Sequence, residues 1–185
     1  DFSSLRYFLY GAAPMSLEKL KKAIEIFGPV MAGGYGQTEA PASISFMRPD
    51  EHFSADGQLA SDERLASVGR ANALNRVEIM DDANRILGPG GTGEICLRGD
   101  LVMKGYYKQP DKTAETIVDG WLHTGDVGHI DAEGYVHITD RKKDMIISGG
   151  FNVYPNEVEQ VIWAHPAVQD CAVIGVPDEQ WGEAV

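Results

Sequence analysis

Residues 137–159, HITDRKKDMIISGGFNVYPNEVE, carry the most unusual features of this chain. Five consecutive charged residues, Asp140 to Asp144, separate two segments in which apolar residues alternate with polar ones. Because such a run resists burial, we expect it at a solvated joint between two parts of the fold. A charged linker followed by a hairpin and a helix is the simplest interpretation of the stretch.

Glycine and proline interrupt the second half of this stretch. The Ser-Gly-Gly sequence at residues 148–150 lacks two β-carbons, so it can form a tight turn or line a narrow passage. Pro155 disfavours helix immediately before it. Asn156 and Glu159 have the spacing of a capping box, with Asn156 as the N-cap, and this pattern predicts a helix over residues 157–164.

The segment from Asp140 to Ile146, with residues 150–157 after it, resembles the hinge of the adenylate-forming superfamily, most closely that of bacterial fatty-acyl-CoA ligases. In that family the hinge joins a large N-terminal domain to a small C-terminal lid, which rotates between two half-reactions. The resemblance implies that Lys143 is the hinge residue that absorbs the rotation. It also implies that Gly149 and Gly150 bind CoA by letting its pantetheine arm pass. Without the resemblance, Lys143 would be interpreted as a solvated surface lysine.

A second informative segment, GGYGQTE at residues 33–39, lies at the carboxyl end of a predicted parallel strand, where α/β sheets place their ligands. Its glycines let backbone amides approach a phosphate, Thr38 offers a hydroxyl, and Glu39 offers a hard oxygen to Mg²⁺. A tight turn with a capping threonine is the alternative. The segment is similar to the superfamily's Tyr-Gly-x-Thr-Glu motif. That similarity implies catalytic roles for Thr38 at the α-phosphate and Glu39 at magnesium, with Gly34 and Tyr35 in the ATP/AMP pocket.

Two further segments resemble the same family. The motif DGWLHTGD at residues 119–126 ends in Asp126, whose carboxylate can accept both hydroxyls of a ribose. A turn-capping aspartate is the commoner fate of such a residue. The spacing from this motif to Arg141 resembles the family signature, which implies Asp126 as the ribose ligand and Arg141 at the ribose and phosphate. Residues 11–14, GAAP, read by themselves as a strand-to-helix turn, and the resemblance implies that Ala13 contacts the adenine.

Apolar periodicity predicts two kinds of structure before the charged run. A strand at residues 5–10, a helix after Ser16 and a strand at residues 30–35 predict a βαβ unit with a parallel sheet. Residues 68–140 hold short alternating segments broken by glycine turns, with one helix at residues 110–118. They predict a small antiparallel β-subdomain.

The residue pattern after the charged run predicts an α+β lid that includes a strand at residues 170–176. We therefore expect domains at residues 1–67, 68–140 and 141–185. The resemblance implies an acetyl-CoA synthetase-like fold of mixed α/β and α+β class, truncated at both ends. The family's phosphate loop and adenylating lysine are absent from the chain, so we expect it to be a piece of a longer protein and inactive by itself.

Charge and cysteine usage exclude several functions. A formal net charge of −12 argues against a nucleic-acid surface, which needs clustered Lys and Arg. Cys96 and Cys171 lack disulfide or metal spacing, which favours the reducing cytoplasm. His123, His129 and His137 fall on separate predicted strands without a cysteine partner, which argues against a metal centre. No apolar run reaches the roughly 18 residues of a transmembrane helix, and exposed apolar surface is expected to favour homo-oligomers.

The chemistry that the resemblance implies has two steps and uses a carboxylic acid, ATP with Mg²⁺, and CoA. The acid forms an acyl-adenylate, and the CoA thiol then displaces AMP. Ile147 and Gly149 stand where plant 4-coumarate ligases and beetle luciferases carry lysines, which favours a fatty or other apolar acid. An acyl-AMP ligase that loads a carrier protein is an alternative within the superfamily. A non-catalytic interaction module is an alternative of a different class.

Overall fold

The computed structural model describes the chain from Asp1 to Val185, with side chains at positions 1–41 and 44–185. Short 3-10 helices cover Pro49–His52 and Lys142–Asp144. The other helices and the strands follow in chain order: β1 (Phe8–Gly11), α1 (Leu17–Phe27), β2 (Met31–Gln37), β3 (Ala40–Met47), α2 (Asp62–Ala66), β4 (Arg70–Ala71), β5 (Asn75–Met80), β6 (Gly93–Gly99), α3 (Pro110–Thr116), β7 (Ile117–Val118), β8 (Trp121–Ile130), β9 (Val136–Arg141), β10 (Ile146–Ser148), β11 (Phe151–Val153), α4 (Pro155–Trp163), β12 (Val176–Asp178) and β13 (Gly182–Ala184).

The first sheet has the strand order β1-β2-β3-β4. Strands β1 and β2 are parallel and are connected by α1, so the predicted βαβ unit is confirmed. Leu20 and Ile24 bury the apolar face of α1 in a core cluster that includes Met31 of β2. A β-carbon at Gly11 would lie 2.3 Å from the carbonyl oxygen of Gly34. The close approach of β1 to β2 therefore requires glycine at this position.

The second sheet has the strand order β5-β6-β8-β7, and β9 also pairs with β8. All of these pairs are antiparallel, as the alternating pattern predicts. Val77, Ile95 and Leu122 of this sheet share a buried cluster with Tyr35 and Ile44 of the first sheet. The two sheets therefore enclose one hydrophobic core, which fixes the end of β2 against β8.

The third sheet has the order β11-β10-β13-β12 and follows the charged joint. Strands β10 and β11 form the predicted hairpin. Asn156 of α4 binds the end of β9, because its backbone N–H donates to Asp140 Oδ2 at 2.8 Å and its side-chain amide donates to the Thr139 carbonyl at 3.1 Å. These bonds attach the third sheet's helix to the second sheet.

The predicted start of α4 and its capping box are wrong. The helix begins at Pro155, Tyr154 is the N-cap, and no side chain caps the helix. Proline suits the first helical position, where its missing N–H would have no intrahelical partner. The predicted capping side chains bind other segments, since Asn156 reaches β9 and Glu159 Oε1 accepts a hydrogen bond from the Val173 N–H at 2.8 Å.

Two other predicted elements differ from the structure. Residues 170–175 are irregular, and the strand β12 begins only at Val176. Hydrogen bonding of Val173 to the Glu159 carboxylate takes the place of a strand ladder in this segment. The helix predicted over residues 110–118 ends at Thr116, because the β-branched pair Ile117–Val118 joins β8 as a short antiparallel strand.

The charged run lies at the surface, as expected for a solvated joint. Residues 141–144 are exposed, and Lys142–Asp144 form one of the 3-10 helices between the second and third sheets. Strand β4 pairs with β3, so the first sheet includes residues beyond position 67. Among the described residues, no helix has the length and apolar character that crossing a membrane requires.

Candidate active site

An open cleft of about 600 Å³ lies between the end of β2, the middle of β8 and the end of β9. Thr38, Glu39, Gly125 and Arg141 are among its lining residues. The cleft therefore joins the three segments that the sequence singled out, although they are far apart along the chain. The ends of these strands meet because the two sheets share a core.

Asp126 does not line the cleft, but it is buried between Gly125 and Arg141, which do, and it is held from two sides. The Tyr35 hydroxyl donates to Asp126 Oδ2 at 2.5 Å, and Arg141 Nε lies 2.7 Å from Asp126 Oδ1. Tyr35 and Asp126 are buried, whereas the Arg141 side chain is about half exposed. Asp126 and Arg141 are opposite residues in the β8–β9 pair, so strand register alone brings them together.

Burial changes the pKa values of Tyr35 and Asp126. Burial raises the pKa of Tyr35 well above its usual range, and the charge of Asp126 adds to the effect. The phenol therefore stays protonated and donates. Burial also raises the pKa of Asp126, although the Tyr35 hydrogen bond and the Arg141 guanidinium act in the opposite direction. Additional hydrogen-bond donors would stabilise the carboxylate, as expected of a group that binds hydroxyls.

Thr38 and Glu39 lie in the turn that connects β2 to β3. The Thr38 hydroxyl is exposed to the cleft and forms no hydrogen bond with any side chain or backbone group that the structure describes. Glu39 Oε1 accepts a hydrogen bond from the Tyr106 hydroxyl at 2.6 Å, and the Glu39 carbonyl accepts one from the Met103 N–H at 2.8 Å. The turn thus presents one free hydroxyl and one oriented carboxylate.

Comparison with protein families gives two matches on this chain. A family described as AMP-binding enzyme matches residues 1–107, and its C-terminal domain family matches residues 157–185. The chain belongs to the AMP-binding enzyme family. The residues that line the cleft come from the first match, from the motif at residues 119–126 and from the joint that precedes the second match.

Two curated relatives of this chain are named as ligases. The chain is 45% identical to the medium/long-chain-fatty-acid–CoA ligase FadD8 of Mycobacterium tuberculosis, over 100% of its own length and 31% of that protein. It is 42% identical to the fatty acid–[acyl-carrier-protein] ligase ScoC of Streptomyces coeruleorubidus, over 100% of its length and 34% of that protein. The chain therefore spans about a third of the length of these relatives.

Solved structures share the fold. The amide bond synthetase McbA from Marinactinospora thermotolerans superposes with a TM-score of 0.90 at 42% identity, covering 100% of this chain and 36% of that one. The O-succinylbenzoate coenzyme A synthetase from Bacillus subtilis, in complex with ATP and magnesium ion, gives a TM-score of 0.83 at 34% identity, covering 97% and 35%. The predicted fold class, that of adenylate-forming enzymes with mixed α/β content, is confirmed.

Glu94 lines the cleft and is a candidate site residue that sequence reasoning missed. Its Oε1 accepts a hydrogen bond from the Gly125 N–H at 2.9 Å. Its Oε2 lies 3.1 Å from His123 Nδ1 and 3.3 Å from Lys142 Nζ. Burial raises the pKa of Glu94, but hydrogen bonds from His123 and Gly125 outweigh it, so the pKa lies below its usual range. One ionised carboxylate thus connects β6, β8 and the charged joint.

Glu94 also belongs to a group of three side chains of metal-ligating types. Ligand atoms of Glu94, Cys96 and His123 lie within 4.8 Å of one another, and these are zinc ligand types. Cys96 and His123 are opposite residues of β6 and β8, so the premise that the histidines lack a cysteine partner is wrong for His123. Burial raises the pKa of the Cys96 thiol to about 12. The Lys142 ammonium already supplies a positive charge to Glu94, so hydrogen bonds and this ion pair account for the cluster.

The remaining predicted site residues lie at the margin of the cleft or away from it. Ala12, the neighbour of Ala13, lines the cleft. Lys143 lines a smaller adjacent cleft of about 340 Å³, and its side chain is exposed. Gly149 and Gly150 form the β10–β11 turn and do not line either cleft. Gly34 lies within β2 and does not line either cleft.

Proposed function

We propose that the protein carrying this chain is an ATP-dependent acyl-CoA ligase that activates an apolar carboxylic acid as its acyl-adenylate. One observation carries the proposal: Thr38, Glu39 and Arg141, which come from distant segments, line one cleft, and the buried Asp126 is paired with Arg141 at 2.7 Å. They are a free hydroxyl, a carboxylate suited to a cation, a guanidinium suited to a phosphate and a carboxylate suited to a ribose.

In the first step the acid's carboxylate oxygen forms a bond to the α-phosphorus of ATP, and the bond to the pyrophosphate oxygen breaks. The Thr38 hydroxyl donates to the α-phosphate, and Asp126 accepts the ribose hydroxyls. Arg141 covers Asp126 Oδ1 at 2.7 Å and is half exposed, so it can turn from Asp126 toward the nucleotide. The work of these residues is positioning and charge neutralisation in a site with fixed donors.

Glu39 suits a magnesium ligand. Its Oε1 is bonded to Tyr106, and among the described residues Oε2 accepts no hydrogen bond. Carboxylate oxygens are the ligands that Mg²⁺ takes in nucleotide sites. Bound Mg²⁺ neutralises the phosphate charge in such reactions. Glu39 would hold it at the edge of the cleft beside Thr38.

In the second step the CoA thiolate attacks the acyl carbonyl carbon, and the bond to AMP breaks. Gly149 and Gly150 lie outside the cleft in this arrangement, so their proposed role at CoA requires the segment after the joint to move. Lys143, exposed in a short 3-10 helix, is the proposed pivot of that movement. The free cysteines Cys96 and Cys171 fit a cytoplasmic enzyme.

An acyl-AMP ligase that loads a carrier protein is the second candidate. It shares the first step, and a carrier thiol replaces CoA in the second. The 42% identity to the carrier-protein ligase ScoC supports it, while the 45% identity to FadD8 supports the CoA ligase.

The test is carboxylate-dependent ATP–pyrophosphate exchange by the full-length protein, without CoA, using short, medium and long fatty acids and benzoate. Exchange that one class of acid stimulates, and that Asp126→Asn reduces, supports adenylation and identifies the acid. Thioester formation with CoA, compared with a phosphopantetheinylated carrier protein, then separates the two candidates. A folded full-length protein without exchange for any acid would favour a non-catalytic interaction module.

A further inference from the structure

The carboxylate proposed for magnesium is held by a tyrosine from a distant part of the chain. Tyr106 and Glu39 are 67 positions apart, yet the Tyr106 hydroxyl donates to Glu39 Oε1 at 2.6 Å. Both side chains line the cleft. A second bond, from the Met103 N–H to the Glu39 carbonyl at 2.8 Å, joins the same two segments. The turn after β2 is therefore bound to the segment before α3 at both its backbone and its side chain.

Tyr106 is itself fixed in place. Its backbone N–H donates to Thr113 Oγ1 at 2.9 Å, and the Lys112 ammonium lies 4.5 Å from its ring centroid. A β-carbon at Gly105 would lie 2.8 Å from Thr113, so the chain passes close to α3 at this point.

The hydrogen bond from Tyr106 distinguishes the two carboxylate oxygens of Glu39. Oε1 is occupied by a neutral donor, and among the described residues Oε2 accepts no hydrogen bond. A carboxylate held by one oxygen loses little rotational freedom when the other binds a cation. Groups that hydrogen-bond to metal-ligating side chains orient them, and their loss weakens metal binding by about 10–100-fold.

We propose that Tyr106 is a positioning residue for the divalent cation, which orients Glu39 so that Oε2 is the oxygen available to Mg²⁺. This inference rests on the proposed role of Glu39 at the metal. It predicts that Tyr106 acts only through Glu39. Tyr107 offers a matched control, because its side chain is 84% exposed and it is the adjacent tyrosine.

The experiment measures binding of Mn²⁺ to the full-length protein in the presence of α,β-methylene ATP, by electron paramagnetic resonance of free Mn²⁺. Mn²⁺ prefers the same oxygen ligands as Mg²⁺. Tyr106→Phe should raise the dissociation constant for Mn²⁺ by about tenfold, and Tyr107→Phe should leave it unchanged. An unchanged dissociation constant in Tyr106→Phe would overturn the proposal.

A double-mutant cycle excludes a general effect on folding. In a Glu39→Gln background, Tyr106→Phe should weaken Mn²⁺ binding no further, because its effect passes through the missing carboxylate. Additive losses would instead show that Tyr106 acts independently of Glu39, and the proposal would be wrong. The two proposals can fail separately. If the wild-type protein shows no carboxylate-dependent exchange but the variants show the predicted changes in Mn²⁺ affinity, the ligase function is contradicted and the role of Tyr106 is supported.

Discussion

Tyr35 and Asp126, 91 positions apart, share a buried hydrogen bond of 2.5 Å. The bond joins β2 of the first sheet to β8 of the second. It places a buried carboxylate at the point where both strands reach the cleft, with Arg141 on its other oxygen. The same contact thus serves the packing of the two sheets and the proposed ribose site.

Replacing Tyr35 by phenylalanine tests this contact. It leaves Asp126 Oδ2 buried without its donor, so we expect the free energy of unfolding to fall by about 1–3 kcal/mol. The hydrogen bond lowers the pKa of Asp126, so its loss raises that pKa further. A carboxyl whose pKa is higher in the folded chain than in the unfolded chain destabilises the fold once the pH is high enough to ionise it. The loss of unfolding free energy in Tyr35→Phe should therefore be greater at pH 7 than at pH 4. Urea denaturation at both pH values measures the free energy of unfolding. Tyr7→Phe, at an exposed tyrosine, should leave that free energy unchanged.

Glu94→Gln tests the carboxylate that connects β6, β8 and the joint. Glutamine keeps an acceptor for the Gly125 N–H but removes the charge that faces His123 and Lys142. We expect a loss of about 1.5–3 kcal/mol in unfolding free energy, as for hydrogen bonds to charged groups.

Glu78→Gln is the matched control for Glu94→Gln. Glu78 pairs with Arg76, which is 54% exposed, at 2.8 Å in the same sheet. An exposed pair contributes about 0–1 kcal/mol, so this variant should lose much less stability in the same urea titration. Equal losses of unfolding free energy in the two variants would mean that the Glu94 contacts stabilise the fold no more than an exposed ion pair does.

His52 should make stability fall in mild acid. Its side chain is fully buried, with Nε2 at 2.9 Å from the Tyr10 hydroxyl and Nδ1 at 2.9 Å from the Arg48 carbonyl. Burial lowers the pKa of His52, although the Arg48 carbonyl raises it. The unfolded chain therefore binds the proton more readily, and stability present above about pH 6.5 is lost as the pH falls toward the lowered pKa.

The difference between wild type and His52→Gln isolates this effect. His52→Gln should have a flatter dependence of the urea midpoint on pH between about 7 and 5, even if the variant is less stable throughout. His165→Gln, at an exposed position, should keep the wild-type slope. A slope unchanged in His52→Gln would contradict the prediction.

The glycine pair of the β10–β11 turn gives a graded comparison. Gly149 has φ of 58° and Gly150 has φ of 84°, so alanine at either costs about 1–2 kcal/mol in backbone strain. A β-carbon at Gly149 would also lie 2.7 Å from Trp181, whereas one at Gly150 meets nothing within 4 Å. Gly149→Ala should therefore make the segment after the joint more sensitive to limited proteolysis than Gly150→Ala does. The reverse order would contradict the described turn.

Lys143→Pro tests the proposed pivot. Proline fixes φ near −65°, so rotation at this residue is blocked. Adenylation, followed by pyrophosphate exchange, should be largely intact, while thioester formation slows. Lys143→Ala should preserve both steps, because among the described side chains the Lys143 ammonium has a single ionic contact, at 3.9 Å with Asp144. Equal loss of both steps in Lys143→Pro would count against a pivot here.

Local patterns predicted much of the fold. The apolar spacing of α1 and the strands around it indicated a parallel βαβ unit, which the structure contains. Alternation and glycine turns indicated the antiparallel hairpin β5–β6 and the hairpin β10–β11. These elements follow from side-chain periodicity and turn chemistry, which act within a few residues. The capping box at Asn156 failed because tertiary contacts recruited its side chain to β9.

The candidate site was only partly accessible to the same reasoning. Thr38, Glu39, Asp126 and Arg141 stood out because their residue types and spacing resembled a motif. Three of them line one cleft and Asp126 is paired with Arg141, and this convergence depends on the packing of two sheets.

The sequence by itself determined the family of this chain, its βαβ unit, its antiparallel hairpins and the residue types offered at strand ends, because these depend on local spacing. Only the tertiary structure decided that Tyr106 holds Glu39, that Glu94 joins Gly125 to Lys142, and that Cys96 faces His123. These pairs are tens of positions apart, and strand register and sheet packing bring them within hydrogen-bond distance. A pattern read along the chain carries no information about such register until the hydrophobic core has set it.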